Sequence, residues 1–151
     1  MLVIGYGNEL RGDDGVGPKV ATATARLNLP NTRALACHQL TPEMAAIICK
    51  AGTVIFVDAV VDGSAGVGMR ELLPREDAPL IAHTADPQSL LGFAKEIFGR
   101  CPPAWLLTIP IQNTEFGEEL SPRALQGMEA ALEKIRTLAG NPPTIISEAA
   151  G

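Results

Sequence analysis

The sequence predicts an α/β fold: a twisted, mostly parallel sheet of about five strands covered by helices on both faces. Strand-like and helix-like segments alternate along the chain, the order that parallel strands with helical crossovers require. Residues 53–57 form a continuous β-branched and aromatic run, as a central strand buried on both faces would. Thr41-Pro42, Asp86-Pro87 and Ser121-Pro122 each place a capping residue before a proline, which marks three helix starts.

The elements follow in order. Residues 2–4 form a short apolar strand, and a helix spans about 17–27 with Pro18 in its first turn, where a missing N–H is tolerated. A second strand is expected over 33–38, then a helix from Thr41 to about Lys50, stopped by Gly52. Asp58 closes the central strand. The glycine-rich stretch 60–68 reads as a loop, followed by a short edge strand over 69–73. Leu90, Leu91, Ala94, Ile97 and Phe98 then recur at helical spacing after Asp86-Pro87. Residues 105–109 make the next strand. The last helix starts at Ser121-Pro122, carries Leu125, Met128, Leu132, Ile135 and Leu138 on one face, and ends at Gly140. Residues 1–140 are expected to form one domain, and 141–151 an irregular tail.

With 46% hydrophobic and 19% charged residues, the 151-residue chain has the composition of a globular protein. A net charge of −5 without any basic cluster argues against a nucleic-acid partner. No apolar run approaches the ~18 residues of a membrane span, and no basic segment precedes the first strand as in a signal peptide. Cys37, Cys49 and Cys101 are widely spaced and form no CxxC pair; they read as reduced thiols of a cytoplasmic protein, two of them buried.

Several chemistries are excluded by what is missing. Two histidines allow no HExxH helix, and neither a GxSxG elbow nor a GxxxxGK[ST] loop occurs. Gly5 and Gly7 begin a dinucleotide fingerprint, but Leu10 replaces its third glycine, and Asp13 and Asp14 would repel a pyrophosphate. What remains is Asp14, with Asp13 beside it, together with Asp58 and His83. Two carboxylates and an imidazole suit a borderline divalent ion such as zinc or nickel, with positions left open for substrate or water. Of the adjacent pair, one carboxylate is free to bind metal while the other caps the first helix or holds the turn. Each residue also has a plainer reading: Asp14 as a helix cap, His83 as an ordinary histidine. Asp58 is harder to explain structurally, because a buried carboxylate needs a partner. Cys37 and His38 are neighbours on a strand and point to opposite faces, so the pair reads as structural. Glu115, Glu118 and Glu119 read as a solvated acidic loop.

The opening Gly5-Tyr6-Gly7-Asn8-x-Leu10-x-Gly12-Asp13-Asp14-Gly15-Val16-Gly17 resembles the signature of the hydrogenase maturation proteases. His38-Gln39-Leu40-Thr41-Pro42-Glu43, Val57-Asp58-Ala59, His83-Thr84-x-Asp86-Pro87-x-Ser89-Leu90-Leu91 and Phe116-Gly117-Glu118-x-Leu120-Ser121-Pro122 resemble further segments of that family, in the same order. The resemblance spans residues 2–138 and implies a three-layer αβα sandwich. It also implies an endopeptidase that removes a short C-terminal peptide from a nickel–iron hydrogenase large-subunit precursor. The family's metal-binding trio falls on Asp14, Asp58 and His83, with Asp14 or Asp58 as the catalytic carboxylate. Nickel is then presented by the substrate rather than held permanently, and the protease acts as a cytoplasmic monomer. Ala82 stands where the family often has serine, and Asp14 where some relatives carry glutamate. A non-catalytic nickel-delivery module of the same fold is the alternative.

Overall fold

The computed structural model describes residues 1–63, 65–75, 86–112, 114–115 and 117–140. Its strands are β1 (Leu2–Tyr6), β2 (Arg33–Cys37), β3 (Val54–Val60), β4 (Gly68–Leu72) and β5 (Ala104–Pro110). Its helices are α1 (Val16–Arg26), α2 (Ala45–Ile48), α3 (Pro87–Phe98) and α4 (Pro122–Gly140). The five strands form one sheet in the order β2-β1-β3-β5-β4. All neighbours run parallel except β4, which is antiparallel to β5 at the sheet's edge.

Alternation along the strands sorts the core into two layers. Leu2, Ile4, Val54, Phe56 and Leu106 face Leu40, Ala45, Ile48, Leu90, Leu91 and Ala94, which belong to α2, α3 and the segment before α2. Val3, Ile55, Val57, Leu107 and Ile109 face Val16, Val20, Ala124, Ala131 and Ile135 of α1 and α4. Both faces of the central strands are therefore covered, the three-layer αβα arrangement.

Glycine permits the closest of these contacts. A Cβ on Gly5 would collide with the Gly17 carbonyl, and one on Gly17 would lie 2.5 Å from the Tyr6 oxygen and 2.7 Å from the Val57 oxygen. The start of α1 thus rests directly on the backbones of β1 and β3. The glycines of the opening turn serve close packing.

Three expectations need correction. β3 does not stop at Asp58: Asp58, Ala59 and Val60 pair with Thr108, Ile109 and Pro110, so the ladder runs past the carboxylate. The helix expected over 41–50 is a 3-10 turn, Pro42–Met44, followed by the single turn of α2. Thr41 makes no side-chain cap there; its hydroxyl bonds to the Glu43 carboxylate instead. All three cysteines are free and half-buried, where two were expected to be buried. The expected tail, 141–151, lies outside the described residues.

Candidate functional site

In the order β2-β1-β3-β5-β4, the chain leaves β1 toward one side of the sheet and β3 toward the other. The crevice beyond the carboxyl ends of two such strands is where open α/β sheets bind ligands. Tyr6 ends β1, Asp13 and Asp14 lie in the 3-10 turn Gly12–Gly15 that follows it, and Asp58 lies in the last half of β3. Gly5 pairs with Val57, so Tyr6 and Asp58 occupy the next level of the sheet, on the α2–α3 face.

Asp58 is a strongly perturbed carboxylate. Its pKa is pushed up from 3.8 to about 6, chiefly because burial removes water from the charged form. The Tyr6 hydroxyl donates a hydrogen bond that opposes the shift, as does the Ala59 backbone N–H, while the negative charge of Asp14 adds to it. Burial and the facing Asp58 charge in turn hold the Tyr6 phenol far above its ordinary value, so it stays a donor. The charge of Asp14 is thus felt at Asp58.

The adjacent aspartates divide their tasks. Asp14 Oδ2 accepts the Asn8 backbone N–H at 2.8 Å, closing the turn across its mouth. Asp14 does not cap a helix: the position before α1 is Gly15, without a side-chain hydrogen bond. Asp13 is fully buried. It accepts the Ser121 N–H at 2.7 Å, the Ser121 hydroxyl at 2.6 Å and the Gln112 N–H at 3.1 Å. Ser121 Oγ also accepts the Ala124 N–H at 3.2 Å, so the same hydroxyl caps α4. A carboxylate at a helix N-terminus with several N–H donors keeps its charge at low penalty. The loop before α4 is tied to the turn by backbone as well: Gly12 N–H donates to the Gly117 oxygen and Gly117 N–H to the Leu10 oxygen, both at 2.7 Å. Glu115, Glu118 and Glu119 are exposed, as a solvated acidic loop requires, and the backbone of the same loop braces the aspartate turn.

A cleft of about 410 Å³ opens on the α2–α3 face, lined by Tyr6, Asp58, Arg70, Arg75, Asp86 and Leu106 among others. Asp86 caps α3 through the Ser89 N–H at 2.8 Å and pairs with Arg75 at 3.2 Å. His83 lies outside the described residues, but the residues flanking that segment, Arg75 before it and Asp86 after it, both border the cleft that holds Asp58. Among the described residues no group of three His, Cys, Asp or Glu side chains could hold a metal ion. Asp14 and Asp58 supply oxygen donors only, and a borderline ion would need nitrogen or sulfur ligands from elsewhere.

Cys37 is half-buried at the end of β2 and His38, which follows it, is exposed. Burial pushes the Cys37 thiol up, the opposite of an activated nucleophile, and its sulfur leans on the Gly5 carbonyl at 3.8 Å. Sequence reasoning missed Tyr6, although Leu2, Ile4 and Tyr6 alternate onto one face and the period alone would have put the phenol above that face.

No protein-family model matches the chain, and no curated protein matches it. Solved structures do. The NiFe hydrogenase maturation protease HycI from Thermococcus kodakarensis KOD1 is 25% identical, with 93% of this chain and 92% of that one aligned at a TM-score of 0.73. The hydrogenase 2 maturation peptidase from Thaumarchaeota archaeon SCGC_AB-539-E09 is 27% identical over 92% and 97% of the two chains, with a TM-score of 0.70. The hydrogenase maturating endopeptidase HybD from E. coli, at 23% identity and a TM-score of 0.68, shares the fold over 93% of both chains. Fold and motifs together make this chain a structural relative of the hydrogenase maturation proteases.

Proposed function

We propose that the chain is an endopeptidase that removes a short C-terminal peptide from the nickel-loaded precursor of a nickel–iron hydrogenase large subunit. A peptidase reading rests on the fold shared with the proteases named above. The observation that carries it to particular residues is Asp58: a half-buried carboxylate at the sheet's reversal point, held by the Tyr6 hydroxyl and raised to about 6. A base of that strength is ionised at neutral pH yet accepts a proton more readily than an ordinary aspartate.

In this reading Asp58 takes a proton from water as the water oxygen attacks the scissile carbonyl carbon. The proton then passes to the departing amine, and the carbonyl is restored as the C–N bond breaks. Tyr6 keeps Asp58 oriented. Nickel belongs to the substrate, and Asp14, Asp58 and His83 complete its coordination when the precursor docks. His83 precedes Asp86, a residue lining the cleft, by three positions in the sequence. An empty precursor makes fewer contacts and is passed over. The protease works in this reading as a cytoplasmic monomer.

Processing by Asp58→Asn tests the base. The variant keeps shape and hydrogen-bonding capacity but cannot take the proton, and a rate loss of about a hundredfold or more is expected. Full processing by Asp58→Asn, with weakened nickel binding, would leave Asp58 a ligand only.

A further inference from the structure

Two arginines border the Asp58 cleft, and they differ in engagement. Arg75 is paired with Asp86 at 3.2 Å. Arg70 is exposed, and no hydrogen bond or ion pair engages it among the described residues. It is on edge strand β4 and pairs in register with Leu106, which pairs with Phe56. Asp58 pairs with Thr108, which pairs with Gly68, so Arg70 and Asp58 are two strands and two residues apart on the sheet. Leu72, two residues on from Arg70, is in the α2–α3 core layer with Phe56, so Arg70 and Asp58 share that face. Strand spacing and rise put their Cα atoms roughly 12 Å apart, the span of about three to four residues of extended chain.

A charged edge residue discourages strand addition, but that task needs no guanidinium over a catalytic cleft. With Arg75 paired to Asp86, the remaining negative charge among the described lining residues is the Asp58 carboxylate, which feels the charge of Asp14 and would repel an acidic substrate segment. A free guanidinium reverses that repulsion at one place and offers a planar fork that matches a carboxylate.

We propose that Arg70 is a specificity-determining residue that binds a carboxylate of the substrate chain about three to four residues from the bond held over Asp58. The inference rests on the peptidase reading above. The carboxylate is either an acidic side chain or the chain's own terminus, and the chemistry of recognition is the same for both.

The test follows cleavage of the nickel-loaded large-subunit precursor by the intact protein and by Arg70→Gln. Arg70→Gln is expected to raise KM about tenfold while kcat stays within about twofold, as loss of a charge-assisted contact made equally in ground and transition states requires. Arg70→Lys should fall between them, and added salt should narrow the gap by weakening the intact protein. Amide replacement of acidic side chains near the cleavage site, or extension of the precursor's terminus, identifies the carboxylate. The matching change should reduce the intact protein to the Arg70→Gln level and leave that variant unaffected. An unchanged KM for Arg70→Gln on a precursor that the intact protein cuts would overturn the role of Arg70 alone. A precursor left uncut by the intact protein overturns the peptidase reading with it.

Discussion

The carboxylate of Asp13 and the hydroxyl of Ser121, 108 residues apart, meet at 2.6 Å in a buried hydrogen bond that joins the aspartate turn to the start of α4. The Ser121 N–H reaches the same carboxylate at 2.7 Å. Asp14, the next residue, therefore stands on an anchored backbone. Asp13→Ala should lower stability by about 2–4 kcal/mol, because it strands several buried donors at once. Asp13→Asn should cost nearly as much, since its amide N–H₂ would face other donors. Denaturant unfolding of both variants checks this; an Asn variant as stable as the parent would mean that the negative charge is dispensable.

A methyl group at Gly17 would have to push α1 away from two strand carbonyls at 2.5 and 2.7 Å. Gly17→Ala is expected to destabilise the fold by about 1–3 kcal/mol through overpacking. The readout is the urea midpoint, and an unchanged midpoint would show that the helix can lift without penalty.

Stability should fall as pH rises from about 4 to 6. Asp58 holds its proton up to about pH 6 when folded but only to about 3.8 when unfolded. Between those values the folded state carries more protons, so each rise in pH favours unfolding, and above about 6 the effect of this group is complete. Asp58→Asn should flatten that slope, measured by urea unfolding at a series of pH values. Catalysis has the opposite sign: a base must be ionised, so processing should decline as pH drops through about 6. A slope that survives Asp58→Asn would assign it to other groups.

Asp86 bonds the Ser89 N–H, the Ser89 hydroxyl and Arg75, with unequal weight. Its cap of α3 satisfies a backbone N–H at 2.8 Å, while its pair with Arg75 is about half exposed at 48% on each side. Asp86→Ala should cost about 1 kcal/mol and Asp86→Asn only a few tenths, since asparagine still caps. Equal losses in thermal unfolding would make the ion pair the larger contribution.

The parts of the fold that were legible in the sequence are those set by local chemistry. Asp86-Pro87 and Ser121-Pro122 mark helix starts because cap and proline act within one turn, and both side chains cap as expected. The central strand was legible from its unbroken apolar run, although its end was not. Asp58 stays in the ladder because β5 continues alongside, which no local signal in β3 reveals. Thr41 does not cap through its side chain: its backbone oxygen accepts the Met44 N–H at 3.1 Å in the 3-10 turn. That Asp14 follows β1 and Asp58 lies in the neighbouring β3 was legible from the strand order. The division of labour between Asp13 and Asp14 did not, because Ser121 is remote in sequence and adjacency alone cannot say which carboxylate turns inward. Arg70 was equally silent, since its place over the cleft depends on the pairing of β4 with β5.

The central claim is that this protein cuts a hydrogenase large-subunit precursor and reads its nickel before doing so. The direct measurement incubates the intact protein with nickel-loaded and nickel-free precursor and follows the loss of C-terminal mass. The account predicts cleavage of the loaded form alone. Equal cleavage of both forms would contradict the reading of nickel, and binding of the loaded form without any mass loss would contradict the peptidase itself.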